Sequence, residues 1–459
     1  MESKTLFART APVKLFFIAS IPGAISMLAS ALYQMFDGVF VGQFLGPTAF
    51  AAINLAMPFV IINFSLADLI GVGASVPISI NLGQKKEKAA SNIFTCAVLM
   101  IIGTGCVIGA ALFFSAPALI RLMGAEGEFA DLAVSYIRVY AACSPFVTIV
   151  FAMDNFQRIC GLIRRSMLLN ILMSATNAVL EFIFLGVFHW NIWAAALANC
   201  TGSLICVLLS LIPFLQKKTI LRFVRPRFHF PMIRQIVACG TPNFLNNIAG
   251  RITSILLNAI LVRLGGETAV SIYGVLMYTD GFVQPLMYGM CDSLQPAVGF
   301  NWGAGKFSRV RAIERCCFMA AAVICGLALI AVLLLPETLT RLFMTGLTPE
   351  TLQMAVFAIR LFALTYITRW ISFATQSYML AIEKPLPASM ISVSTALVFP
   401  VILVAALWPL GLTGIWLNFA ATSVLAAVLS VVILFKVRPQ LRQPDREEPF
   451  PDIETVLEK

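Results

Sequence analysis

The chain has 459 residues, 59% of them hydrophobic and only 12% charged, with a mean hydropathy of +0.90. Soluble domains carry about 25% charged residues, so this balance leaves no water-soluble domain of any size and describes a chain whose solvent is mostly lipid. The formal net charge of +10 is not a nucleic-acid footprint, because the basic residues gather in loops on one side of the apolar runs.

Apolar runs of 18 or more residues recur along almost the whole length, and each is a candidate membrane helix. Twelve spans are predicted, at 13–42, 49–82, 90–114, 132–157, 166–187, 191–214, 235–263, 268–300, 315–335, 353–381, 387–408 and 412–435. The first lacks an A-x-A-like cleavage site and is read as an uncleaved helix. Within it lies one carboxylate, Asp37, in IPGAISMLASALYQMFDGVFVGQFLG (21–46). Prolines fall inside several spans, among them Pro22, Pro58, Pro77, Pro145, Pro242, Pro285, Pro296 and Pro400. Each removes a backbone donor and tends to kink a helix. Pro22 and Pro58 flank Asp37 along the chain and are the candidate hinges. Lys85, Lys86 and Lys88, then Arg158, Arg164 and Arg165, the 215–234 linker, Lys306, Arg309 and Arg311 all fall on one side. Arg121, Arg138, Arg263, Arg341 and Arg360 fall on the other. Positive charge marks the cytoplasmic side, so both termini are expected in the cytoplasm of a cell with the protein in its inner membrane. The polar, Pro-rich tail 438–459 is expected to be disordered. The eleven cysteines lie singly or as Cys316-Cys317 in or beside spans and read as small apolar residues. His189 and His229 form no cluster.

The chain repeats itself. Asn81-Leu82-Gly83 is echoed by Asn301-Trp302-Gly303, Gly46-Pro47-Thr48-Ala49 by Gly266-Glu267-Thr268-Ala269, Leu119-Ile120-Arg121-Leu122 by Leu339-Thr340-Arg341-Leu342, and Ile192-Trp193 by Ile415-Trp416, each some 220 to 223 residues later. The fold class is therefore an all-α integral membrane protein, with twelve transmembrane helices in two pseudo-symmetric six-helix lobes. The N-terminal lobe is placed at 1–214, a basic cytoplasmic linker at 215–234 and the C-terminal lobe at 235–437.

Depth selects the polar groups that matter. Asp37 lies on the order of 10 Å below the outer end of span 1. Glu181 in span 5 and Asn199 in span 6 reach a comparable level, and Asn177 precedes Glu181 by four positions and shares its face. Carried across the repeat, Asp37 falls opposite Leu257, Asn177 opposite Pro400, Glu181 opposite Val404 and Asn199 opposite Thr422. Buried polar groups can simply stitch helices together. That reading suits Asn199 alone, whereas intramembrane carboxylates are functional by default. The four are read as a cation- or proton-coupling site. Two nearby carboxylates cannot both stay charged cheaply, so a shared proton fits. Carboxylate and carboxamide oxygens also suit Na+, at Asp37, Asn177 and Glu181, and the residues do not choose between the two ions. The C-terminal lobe carries Arg251, Asp280, Gln284 and Arg369 as a candidate substrate cavity. An Arg–Asp280 bridge of purely structural meaning is the competing reading there. GVGAS at 71–75 contains a G-x-G, but inside a span with no strand before it, and is dismissed as a phosphate loop.

These residues resemble the multidrug and toxic compound extrusion (MATE) family. The resemblance rests on IPG…YQMFDGVFVGQFLG, AAINLAMP, NLGQKKEKA, FQRICG at 156–161, NAVLEFIF around Glu181 and QPAVGFNWGAG at 295–305. It implies an antiporter, not an enzyme, that exports organic cations and other drugs against Na+ or H+, with the coupling site at Asp37, Asn177 and Glu181. It departs from the family at Glu181, where Asp is usual, at SVSTAL (392–397), which lacks an Arg-Gln, and at FAATS (419–423), which lacks a P-x-x-D-like ending. A lipid-linked oligosaccharide flippase of the same superfamily is the alternative, kept by Arg251 and Arg369, which could meet a pyrophosphate. The expected partners are small organic molecules and membrane lipid, with no nucleic acid and no cofactor beyond the coupling ion, in a protein working as a monomer.

Overall fold

The computed structural model describes residues 3–344, 348–441 and 443–446. Among them there is no strand. The long apolar helices are α1 (Pro12–Phe44), α2 (Pro47–Gly83), α3 (Glu87–Leu122), α4 (Gly127–Ile159), α5 (Ile163–Val187) and α6 (Trp193–Leu215). A helical stretch, Phe230–Gly303, follows, interrupted by one non-helical residue, Gly266, at φ 60 and ψ −153. That residue divides it into α7 (230–265) and α8 (267–303). Then come α9 (Phe307–Leu334), α10 (349–381, with a tighter turn at Leu364–Ile367), α11 (Pro385–Ala406) and α12 (Leu412–Leu441). Among the described residues eleven helices are long and apolar enough to span a membrane, and the break at Gly266 within Phe230–Gly303 makes the layout twelve helices.

The repeat is visible in the backbone. Gly46 and Gly266 both take positive φ (84 and 60), as do Lys85 and Gly305 (65 and 70), Gly161 and Glu383 (78 and 59), and His189 and Gly411 (52 and 57). Each pair is 220 or 222 residues apart in the sequence. The left-handed conformation favours glycine, yet in three of these pairs one member is not glycine, so the turn is set by the helices on either side of it.

Two compact units result. One holds Ile25–Phe244 with the start of the chain up to Leu6, and the other holds Phe7–Ala24 with the chain from Leu245 on. Helix α1 therefore begins in the second unit and continues in the first, while α7 begins in the first and continues in the second. Close backbone crossings explain both assignments. In the second unit a Cβ at Gly23 would overlap Ser293 Oγ and the Gly289 carbonyl. In the first, a Cβ at Gly73 would overlap the Ile236 carbonyl. Helices approach this closely only where a side chain is missing. A polar knot adds to the second unit: Arg309 Nη2 donates to the carbonyls of Phe7 (3.0 Å) and Thr10 (2.7 Å), and Asn301 Nδ2 donates to that of Phe7 (3.1 Å). Of the tail from Arg438, Arg438–Leu441 complete α12 and residues 443–446 lie against the start of α9, while 442 and 447–459 fall outside the described residues.

Candidate functional site

In the first unit, α1 and α5 bring two carboxyl groups together. Asp37 is 8% exposed and Glu181 is fully buried. The two carboxyls lie within hydrogen-bonding reach of each other. Tyr33, one turn before Asp37, bridges them: its hydroxyl lies 3.4 Å from Asp37 Oδ1 and 3.4 Å from Glu181 Oε2. Asn177, one turn before Glu181, is also buried, and its Nδ2 donates to Asn199 Oδ1 on α6 at 3.0 Å. Asn199 itself is half-buried.

Two acceptors in this group are buried without a partner, Glu181 Oε1 and Asn177 Oδ1. Buried acceptors are normally paired, and these two come from residues that share one face of α5. Two further features shape the place. Directly after Glu181 the helix widens into a π-helical stretch, Phe182–Val187, a distortion frequent at functional positions. On α6, Gly202 has no side chain where a Cβ would overlap Asn177 Oδ1. The missing Cβ is what lets the carboxamide sit there.

The sequence reading did not single out Tyr33, Tyr136 or Tyr140. Tyr136 is fully buried, and its ring meets that of Tyr140 at a tilt, 5.2 Å between centroids. Both phenols stand within electrostatic reach of Asp37. The signal for Tyr33 was present in its i,i+4 spacing to Asp37.

In the second unit the four candidate cavity residues do not form one group. Arg369 Nη1 and Asp280 Oδ1 are ion-paired at 2.6 Å, and Tyr366 donates to the same oxygen at 3.1 Å. Gln284 is bonded to Tyr288, which accepts from Asn246 at 3.0 Å. Arg251 is exposed and makes no ion pair among the described residues. Arg369 is thus engaged by its own carboxylate and does not stand free for a pyrophosphate, which removes the main support for a flippase. Two other intramembrane acids have local partners: Asp154 binds Arg158 (2.8 Å), Asn170 (2.8 Å) and Ser166, and Asp292 accepts from Gln295 (2.8 Å) and Ser377 (3.4 Å). Pro22 and Pro58 both sit inside continuous helices, and Pro22 lies two residues before the point where α1 leaves the second unit.

A family model described as MatE matches residues 22–183 and 242–405, one segment in each half. The multidrug export protein MepA of Staphylococcus aureus (strain MSSA476) is 24% identical over 446 residues, which is 96% of this chain and 97% of MepA. A solved structure described as the outward-facing conformation of a multidrug resistance MATE family transporter of the MOP superfamily shares the fold. Its TM-score is 0.91 at 22% identity, over 97% of this chain and 99% of its own. Another, described as MATE in the bent conformation, gives 0.87 at 21% identity, over 96% and 100%.

Proposed function

Because the chain belongs to the MatE family of multidrug and toxic compound extrusion transporters, we propose that it is a secondary antiporter exporting amphipathic, cationic compounds from the cytoplasm in exchange for H+ or Na+. The observation that carries this reading is the Asp37–Tyr33–Glu181 group with its two unpartnered acceptors, Glu181 Oε1 and Asn177 Oδ1. Two carboxylates held together out of water repel unless a cation or proton joins them. The orphaned oxygens, all hard donors, are where such an ion finds its ligands.

Coupling follows from charge. An ion arriving at Asp37 and Glu181 neutralises the pair and changes how α1 packs on α5. Pro22 gives α1 a weak point at which it can bend. The relative solved in a bent conformation is in keeping with such a hinge, and Pro58 is its counterpart in α2. Drug and ion then disfavour each other, with a coupling of about 1–3 kcal/mol in typical cases. The apolar, Phe- and Met-rich composition suits a permissive binding surface. The excess of Lys and Arg in loops on one side supports a cytoplasmic location for both termini.

The test is drug efflux from proteoliposomes under an imposed Na+ gradient, an imposed pH gradient, or neither, for the parent and for Asp37→Asn. Efflux driven by one gradient, and lost in Asp37→Asn while the drug still binds, supports the mechanism and names the ion. Full-rate gradient-driven efflux by Asp37→Asn overturns it.

A further inference from the structure

The second unit holds a buried acid that the coupling site does not use. Glu314, two turns into α9, is 7% exposed, and its Oε2 is buried with no hydrogen-bond partner. Facing it from α10 is Tyr378, 4% exposed, whose hydroxyl is likewise buried without a partner. Two unanswered oxygens therefore lie within electrostatic reach of each other.

Among the described residues Glu314 makes no ion pair. On its own helix, Cys317 lies one turn further along and shares a 3.7 Å contact with Cys291 of α8. Asp292 of α8 is within electrostatic reach of that same thiol and is itself an acid. Arg311, one turn before Glu314, is exposed and lies within electrostatic reach of Tyr378.

The internal repeat shows what the fold requires at this point. By the offsets of 220 and 222, Glu314 and Tyr378 take the places of Phe94 and Phe156. In the first unit those two rings are fully buried and meet edge to face at 5.1 Å, with Phe214 and Phe223 around them. Packing alone is thus satisfied by hydrocarbon. A carboxyl in that position is an addition to what the fold needs. It is an expensive one, since an uncompensated carboxylate out of water costs far more than a fold can absorb. A permanently neutral acid would donate its O–H to a fixed acceptor. The orphaned Tyr378 hydroxyl and Glu314 oxygen instead describe a group whose partner comes and goes.

We propose that Glu314 and Tyr378 form a second proton-binding site, in the C-terminal unit, separate from Asp37 and Glu181 and exchanging its proton with water on the side of the Arg311 helix end. Glu314 lies seven residues into α9, on the order of 10 Å of helix from that end, and Arg311 occupies the intervening turn. The proton passes between water and the Glu314 carboxyl, with the Tyr378 hydroxyl within electrostatic reach of it.

The experiment is infrared difference spectroscopy of the full-length protein in lipid nanodiscs during a pH titration. In the parent, a protonated-carboxyl band that changes with pH is expected. Glu314→Gln should remove it, Tyr378→Phe should shift it, and it should persist in the Asp37→Asn/Glu181→Gln variant. Should Glu314→Gln fold poorly, the double variant Glu314→Phe/Tyr378→Phe installs the first unit's own aromatic pair and is expected to fold and to lack the band. An unchanged set of pH-sensitive bands in either Glu314 variant overturns the proposal. So does a Glu314 band that stays constant across the titration, which marks a static buried acid.

Discussion

The two units solve the same packing problem with opposite chemistry. The first places Val60 and Val147 in a buried apolar cluster. At the repeat-equivalent positions the second places Asp280 and Arg369, ion-paired at 2.6 Å. At the level of Asp37, Asn177, Glu181 and Asn199 the contrast reverses. There the second unit has buried Leu257 and Val404, with Asn418 stitching α12 to the Pro400 carbonyl of α11 at 2.8 Å and receiving Thr422 at 3.2 Å. Since the positions of Asp37, Asn177, Glu181, Asp280 and Arg369 are each filled by an apolar residue in the other half, those polar groups are not demanded by the architecture. What the fold leaves free, function can occupy, and charge has been placed at different depths in the two halves.

The largest effect is expected where the first unit's charge is removed without changing shape. Glu181→Gln keeps the side-chain volume and the bond to Tyr33 but takes away the charge a cation needs. Gradient-driven efflux in proteoliposomes should fall about tenfold or more, within the range of typical ligand coupling. Equilibrium binding of a cationic dye, followed by fluorescence, should change far less. Normal ion-driven efflux by well-expressed Glu181→Gln would take Glu181 out of the site.

Next in size is the ion pair. Asp280→Val strands Arg369 and leaves Tyr366 without its acceptor, and breaking such a pair costs about 3 kcal/mol. Adding Arg369→Val rebuilds the first unit's Val60–Val147 arrangement. The double variant should return to within about 1 kcal/mol of the parent, because apolar replacements of buried pairs are often neutral. Thermal unfolding of detergent-solubilised protein measures both. A double variant no more stable than Asp280→Val would show that the halves are not interchangeable at this point.

A smaller change tests the carboxamide. Gly202→Ala sets a methyl group against Asn177 Oδ1 and should cost about 1–3 kcal/mol, with weakened coupling as the Asn177–Asn199 bond is displaced. Gly103 has open space where its Cβ would be, so Gly103→Ala on α3 is the matched control and should leave efflux unchanged while adding about 0.5–1 kcal/mol of stability.

The twelve spans and the repeat were legible because long apolar runs and recurring Asn-x-Gly and Gly-x-Thr-Ala signatures survive in a single sequence. Asp37 and Glu181 stood out because charge within a span is rare. Tyr33 did not, because a tyrosine in an apolar helix reads as packing, and only its bonds to two carboxyls give it a role. Glu314 was hidden for another reason. It sits in RVRAIERCC, a basic run where an acid reads as a solvated charge, and its burial depends on the distant Tyr378. The handover of α1 and α7 between units at Ala24 and Phe244 was illegible, since it depends on crossings such as Gly23 over Gly289, made between residues far apart in sequence.

The smallest effect distinguishes two straps. In the first unit the linker lies over the start of α3 through neutral groups: the amides of Arg222 and Val224 donate to Ser91 Oγ (3.3 Å) and Thr95 Oγ1 (3.1 Å). In the second, the tail lies over the start of α9 through a carboxylate. Asp445 accepts from the Ser308 amide (2.8 Å) and hydroxyl, while Arg446 donates its amide to the Gly305 carbonyl at 3.1 Å. Burial alone would push the Asp445 carboxyl up, but the Ser308 bonds, with Lys306 and Arg311 nearby, hold it below the usual carboxylate value. A carboxyl lowered in the folded state contributes stability above its unfolded value, about 3.9, and that contribution is lost as pH falls through the folded one. Asp445 is half-buried and its bonds to Ser308 lie at the exposed surface, so the contribution is under about 1 kcal/mol. Hydrogen exchange of the Ser308 amide, corrected for its intrinsic pH dependence, should therefore lose up to about fivefold in protection as the solution is acidified below that value. The Val224 amide, held by a neutral hydroxyl, should not. Asp445→Asn should lower Ser308 protection at neutral pH and abolish its acid dependence. Equal loss at Ser308 and Val224 on acidification would mean that both straps loosen alike and that the carboxylate gives the second strap no titration of its own.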